Sequence, residues 1–317
     1  MLLRGAGNVD QIYRSRFRDW DTRSAVRAKS LPVFTNERAG DALFFMPELV
    51  PAAGHPAVRA LGPEAVRQAL TLHLFEHLNF TDALENEVVT PVAYTLARGQ
   101  LGFSLPPSMV TDARKIAVDE MHHALLTGGF IDDIAAQSGI MPPPARRPTF
   151  LLALDEIKAA HDGSVRPLLA LFFAIVSETL ITGTLTKVPN DPRVVAGVRK
   201  ILQDHAEDEA RHRFYFAEVL ARCWPQLTSS ERAIVGPMLP RFITLFLSPD
   251  LLGVQALLHR LGLSASACER VIEEAYLPAG TGSAIRSGSE AILRLMARAG
   301  VLDDPRTADA FHDAGLV

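Results

Sequence analysis

Four long stretches of this chain repeat their apolar residues with a period of about 3.6, and each carries a glutamate inside its apolar stripe. The first stripe reads Leu74, Leu78, Thr81, Glu85, Val88, Val89, Val92 and Leu96, and the second Met109, Ala113, Ile116, Ala117, Glu120, His123, Ala124 and Thr127. The third reads Leu171, Ala174, Ile175, Glu178, Ile181, Thr182 and Leu185. The fourth reads Val194, Val198, Ile201, Leu202, His205, Glu209, His212, Phe216 and Val219. A carboxylate buried without a partner is costly, so helices that turn four of them inward need a common counter-charge. Two divalent or trivalent metal ions would supply it.

The pattern predicts long helices over 63–98, from 107 to the Gly128-Gly129 pair with a further short helix beyond, over 166–187 and over 193–222. Shorter helices are expected near 228–247, 250–260, 264–276, 282–299 and 306–313. No β alternation follows Pro63, so the expected fold is all-α: a ferritin-like four-helix bundle with additional helices at both ends. Residues 1–62, rich in Arg, Pro and Gly, should wrap the body as an arm. Met141-Pro-Pro-Pro-Ala145 reads as a rigid linker inside one domain, because helical texture resumes at Thr149. That domain spans 1–317, with its core over about 63–222 and C-terminal helices over 226–317.

The net charge of −4 gives no footprint for nucleic acid, and no G-x-G-x-x-G segment marks a flavin or nicotinamide site. Two cysteines, Cys223 and Cys268, cannot build a disulfide framework and fit a reducing cytoplasm. The N-terminus lacks signal-peptide features. The most apolar run, Pro167 to Val176, meets Glu178 well before the about 20 residues a membrane span needs. A soluble, intracellular protein is expected.

Dimetal carboxylate bundles take one Glu from each of two helices and Glu-x-x-His from each of two others. This chain offers Glu85, Glu120-Met-His-His123, Glu178 and Glu209-Ala-Arg-His212, in that order. The i, i+3 spacing puts Glu and His one turn apart on a single helix face. Carboxylates suit hard ferric ions, and imidazole suits iron. Asp119 and Asp208, each preceding a motif glutamate, are placed to hold a ligand imidazole from behind. His205 shares a helix face with Glu209 and His212, which makes it a candidate third imidazole. Glu87 competes with Glu85, on a face less continuously apolar. His122 points off the stripe, and the His73/His77 pair lacks matching carboxylates. Asp132-Asp133 and Asp155-Glu156 read as solvated faces or helix ends.

With these residues the chain resembles the p-aminobenzoate N-oxygenases (AurF-like), ferritin-like di-iron enzymes of natural-product pathways. The resemblance rests on Glu85, Glu120, His123, Glu178 and the motif His205-Ala-Glu-Asp-Glu-Ala-Arg-His212, whose extra histidine separates that group from most other bacterial di-iron bundles. It implies two irons, O2 as co-substrate, a diferric peroxo species and oxidation of a primary amine to hydroxylamine, nitroso or nitro products. It also implies an external electron donor of ferredoxin or reductase type. The family's carboxylate-holding arginine falls nearest Arg286, with Arg294 as the alternative. A radical-generating reductase subunit would place a tyrosine soon after His123, where Ala-Leu-Leu-Thr stands. A C–H hydroxylase or desaturase on the same scaffold remains the rival, and it would tolerate loss of His205. Iron storage or a structural bundle would not need the chain beyond the four helices, and a hydrolytic zinc site would need fewer carboxylates. Apolar Phe242-Ile-Thr-Leu-Phe-Leu247 or the N-terminal arm could pair two copies.

Overall fold

The computed structural model describes residues 13–29, 42–181, 186–277 and 281–317. Helix α1, Pro63–Leu84, follows Gly62, whose φ of 100° only glycine takes freely, and begins with a proline whose missing N–H costs the first turn nothing. It runs through a π-helical turn, Glu85–Val89, into α2, Thr90–Ala97. The remaining elements are α3 (Pro107–Ser138), α4 (Thr149–Ala159), α5 (Arg166–Leu180) and α6 (Ala196–Cys223). They continue with α7 (Ser229–Leu247), α8 (Leu251–Arg260), α9 (Ala265–Tyr276), α10 (Thr281–Arg298) and α11 (Pro305–Asp313). No strand occurs among the described residues; an isolated bridge joins Leu43 to Val194. The all-α, ferritin-like expectation holds.

Two boundaries differ from those expected. Helix α3 passes through Gly128 and Gly129 and ends only at Gly139, in the left-handed region at φ 69°. A helical glycine costs about 1 kcal/mol against alanine. Beyond the pair, Phe130 and Ile134 are buried, and each recovers about 1.5–3 kcal/mol, so burial decides. Helix α5 ends at Leu180; residues 182–185, which include Thr182 and Leu185 of the third stripe, lie outside the described residues.

Helix α5 is buried on every side from Leu171 to Thr179 and forms the axis of the molecule, packed against α6, α7 and α10. Helices α2 and α3 pack together, α1 lies on α3, and the single turn Ala25–Ala28 of the arm sits against both α3 and α6. Phe150 and Phe242 meet Phe173 of α5 at ring-centroid distances of 5.8 and 5.5 Å. The 242–247 run, read as a surface for a second copy, is used inside the chain. Phe242 and Ile243 are fully buried, and Phe246 and Leu247 line a cavity. The stretch Ser229–Arg260 is apolar enough by composition to cross a membrane, but it bends between α7 and α8, and Phe242, Ile243, Leu257 and Leu258 pack in the core.

Helices α7 and α11 approach so closely that a Cβ on Gly236 would collide with Thr307 Oγ1. Gly236→Ala should therefore destabilise by about 1–3 kcal/mol, reversing the about 0.5–1 kcal/mol that alanine normally gains in a helix. At Gly128 nothing lies within 4 Å of the added Cβ, so Gly128→Ala should raise the denaturation midpoint while Gly236→Ala lowers it in paired urea melts.

Candidate metal centre

Glu85 stands where α1 passes into the π turn, which inserts one extra residue into the helical register. The result puts Glu85, Val88 and Val89 inside, while Glu87 is exposed and accepts hydrogen bonds from Arg147 at 2.8 and 3.1 Å. Helix α3 buries Asp119, Glu120 and His123 and leaves Met121 in solvent and His122 half-buried. Helix α5 contributes Glu178, and α6 buries His205, Asp208, Glu209 and His212 on one face.

These elements bring all seven expected side chains together in two overlapping groups, each able to hold a metal ion. One is Glu85, His123, His205 and Glu209; the other is Glu120, Glu178, Glu209 and His212. Within the first group, His205 Nε2 lies 2.9 Å from Glu85 Oε1 and 3.2 Å from Glu209 Oε1. In the second, His212 Nδ1 lies 2.9 Å from Glu120 Oε1, 3.3 Å from Glu209 Oε1 and 3.9 Å from Glu178 Oε2. Glu120 also reaches toward the first group, its Oε2 standing 3.2 Å from His123 Nδ1. Six atoms here are buried without a hydrogen-bond partner: both oxygens of Glu85, one each of Glu120, Glu178 and Glu209, and His212 Nδ1. Buried polar atoms that make no hydrogen bond, and at best ion pairs with one another, all converging, are what a pair of cations would satisfy. The residues present fit two metal ions.

Without cations, protons are the counter-charge. Burial drives the Glu178 carboxyl well above its ordinary range, with nearby Glu209 adding to the effect. Burial likewise lifts Glu85 to about 7, against the opposing imidazole of His205. Burial also opposes the charged forms of Glu209 and His212, but attraction prevails: His212, with His205, holds Glu209 well below its usual value, and Glu120 and Glu209 hold His212 well above. His123 and His205 are raised to about 9, the surrounding carboxylates outweighing the cost of burial. Cation binding must displace these protons.

The two aspartates hold the imidazoles crosswise. Asp119 on α3 accepts from His212 Nε2 of α6 at 3.3 Å, and Asp208 on α6 accepts from His123 Nε2 of α3 at 3.2 Å. That leaves each Nδ1 to face the carboxylates. The arm closes the outside: Trp20 Nε1 donates to Asp119 at 2.8 and 2.9 Å, and the Ala25 N–H donates to Asp208 at 3.2 Å. Phe17 stacks on His212, centroids 6.1 Å apart. No spacing in the sequence signalled Trp20, because it lies 99 residues from its partner.

A cavity of about 820 Å³ opens beside the centre, bordered by His73, His77, Phe80, Arg146 and Phe246. His77 also borders a cleft of about 30 Å³ that touches His123 and His205, so it stands between cavity and cluster. Neither His73 nor His77 joins the two ligand groups. Burial lowers them to about 4 and about 3, so both are neutral, and His77 Nε2 has no hydrogen-bond partner. Arg286 lies elsewhere: it is exposed, and its Nε donates to the Gly315 carbonyl at 2.8 Å. Arg294 is exposed and paired with Glu290 at 3.1 Å. The guanidinium on the cavity wall is that of Arg146, bound through Nη2 to Glu76 at 2.7 Å and Asp250 at 2.9 Å, with Nε and Nη1 buried and unpaired.

Fold and donor set define a carboxylate-rich helical bundle suited to hold two metal ions. The chain belongs to the family described as P-aminobenzoate N-oxygenase AurF, whose family model matches residues 17–300. It is thereby a di-iron N-oxygenase, a monooxygenase that uses O2, and its buried carboxylate and histidine clusters suit the two ions that chemistry needs. A comparison with individually curated proteins found no match.

Because Glu209 belongs to both groups, Glu209→Ala should lower the occupancy of both positions, while Glu178→Ala or His205→Ala should spare one ion. Metal analysis after ferrous reconstitution reads the difference, and equal losses in all three variants would contradict the shared role. Loading should also release protons near neutral pH, because His123 and His205 keep theirs up to about 9. Apparent affinity should then fall as pH falls. Calorimetry in buffers of different ionisation enthalpy measures the release.

Proposed function

We propose that Glu85, His123, His205 and Glu209 hold one iron and Glu120, Glu178, Glu209 and His212 the other, and that the amine enters through the 820 Å³ cavity. The overall conversion is R–NH2 + O2 + 2 e⁻ + 2 H⁺ → R–NHOH + H2O, with nitroso and nitro products from further oxidation. The iron pair, when bound, supplies the activation of O2. The observation that carries this assignment is His205, a third imidazole 2.9 Å from Glu85 in the donor set.

The chain's own residues have three tasks. Val88, Val92, Ala174, Ile175 and Phe216, each at most 5 % exposed, keep water from the site. Asp119 and Asp208 fix the tautomer and orientation of His212 and His123. His77, neutral and with Nε2 unpaired, is suited to accept an N–H from the amine and turn its lone pair toward the cluster; rate comes mainly from that positioning. At the cavity wall Arg146, whose Nε and Nη1 have no hydrogen-bond partner, suits a carboxylate or carbonyl oxygen of the substrate. The volume lies in the upper part of the about 300–1,000 Å³ typical of ligand sites, room for more than one aromatic ring. Such a substrate fits natural-product assembly in the cytoplasm, where Cys223 and Cys268 form no disulfide. Electrons come from a separate donor protein.

Reduced, iron-loaded protein mixed once with O2 and a panel of aryl amines, amino acids and fatty acids tests the reading by mass spectrometry. Oxygen on nitrogen is expected, and His205→Ala should lower the yield by at least about tenfold, the lower end of what even outer partners of metal ligands cost. Oxygen on carbon, or a new double bond, with His205→Ala tolerated, would move the chain to the hydroxylase or desaturase reaction.

A further inference from the structure

Amine oxidation by O2 consumes two electrons that neither the amine nor this chain supplies, so on the reading above a reductant must serve a buried centre. Trp20 opens a single helical turn of the arm and is partly exposed. Its indole N–H donates to both oxygens of Asp119, which is fully buried and accepts from His212 Nε2. The other nitrogen of His212 faces Glu120 and Glu209. Three side chains and their hydrogen bonds thus join a surface ring to the second group of ligands.

The opposite aspartate provides an internal comparison. Asp208 holds His123 with the same geometry, yet its remaining partners are the backbone N–H of Ala25 and the guanidinium of Arg211. Orienting an imidazole therefore needs no aromatic partner, and the indole on Asp119 calls for a different use.

Charge points the same way. On a chain of net charge −4, residues 14–29 hold Arg14, Arg16, Arg18, Arg23, Arg27 and Lys29 against only Asp19 and Asp21. Arg23 and Arg27 pair with those aspartates at 3.4 and 3.5 Å, and Lys29 pairs with Asp204 and Glu207. Arg14, Arg16 and Arg18 are exposed, with no acidic partner among the described residues. Arg16 lies over the ring of Phe214 at 4.7 Å, and Lys115 Nζ is 5.7 Å from the Trp20 ring.

We propose that Trp20 is the port through which electrons reach the centre, along Trp20–Asp119–His212, and that the arginine-rich arm around it docks a one-electron iron–sulfur carrier protein with an acidic face. Two successive dockings complete the balance: each oxidises one reduced carrier and returns one ferric ion to ferrous. The indole shortens the through-bond route and holds no charge itself. Complementary charge mainly speeds encounter and is weakened by salt.

The probe is reduced plant-type ferredoxin, mixed without O2 with the oxidised, iron-loaded protein. Loss of ferric absorbance is followed by stopped flow, and binding of oxidised ferredoxin by calorimetry. Trp20→Phe should keep its iron and its ferredoxin affinity, yet be reduced by ferredoxin at least an order of magnitude more slowly. Its reduction by dithionite with methyl viologen, which needs no docking, should be unchanged. The surface double variant Arg16→Glu/Arg18→Glu should lose an order of magnitude in ferredoxin affinity and most of its salt dependence. Unchanged ferredoxin-driven reduction in Trp20→Phe, or equal slowing with both reductants, would overturn the port. Salt-independent or absent ferredoxin binding by the unaltered protein would overturn the docking face. A chain that passes these tests but oxidises no amine would lose the function proposed above and keep the port.

Discussion

Four carboxylates, none more than 1 % exposed, meet in the middle of an otherwise apolar bundle, and the rest of the molecule is arranged around that cost. Each buried ion left unpaired costs several kcal/mol, while a whole domain is stable by only about 5–15 kcal/mol. Glu85, Glu120, Glu178 and Glu209 could not be tolerated together without a counter-charge. Two divalent ions balance them in full, and the three imidazoles add donors without adding charge. The opposed shifts of Glu178 and Glu209 describe the same constraint with protons in place of metal.

The surrounding structure meets that constraint by fixing the donors from outside. Asp119 and Asp208 each reach from one Glu-x-x-His helix to the histidine of the other, so α3 and α6 are clamped at the height of the cluster. Helix α5, apolar on all sides beyond Arg166 apart from its serine, threonine and Glu178, brings its carboxylate in without another charge nearby on the same helix. The arm then covers the aspartates, which would otherwise face water and lose strength as acceptors.

Where a residue's role depends on helical phase, the sequence displayed it. Glu120, His123, Glu178, His205, Glu209 and His212 all lie on the buried faces that the apolar stripes mark, and Glu85 takes the inner position over Glu87. The π turn at Glu85 was invisible, because inserting one residue leaves no mark in composition. The path of α3 through Gly128-Gly129 depended on tertiary burial of Phe130 and Ile134, against local propensity. Partners far apart in sequence were beyond reach: spacing placed Asp119 and Asp208 behind an imidazole, but not behind each other's. Arg146 and Trp20 act through contacts 70 and 99 residues away, which no local pattern encodes. The apolar 242–247 run looked like an exposed face because a hydrophobic helix end reads alike whether it meets a second copy or the chain's own core and cavity wall.

The two routes to the centre reach different halves of it. The cleft beside His77 touches His123 and His205, both in the first group, while the line from Trp20 ends on His212 in the second. Glu209, common to both groups, and Glu120, which faces His123 with one oxygen and His212 with the other, join the halves. The asymmetry follows the donors: the half beside the cleft carries two imidazoles, and the half behind Trp20 carries one imidazole with three carboxylates. Carboxylate ligation favours the ferric state. With iron bound, the half richest in carboxylates would be the harder one to reduce, and it is the half that the proposed Trp20 route reaches. On the two proposals above, substrate and donor protein need not compete for one opening, since the amine would use the cavity and the electron the arm.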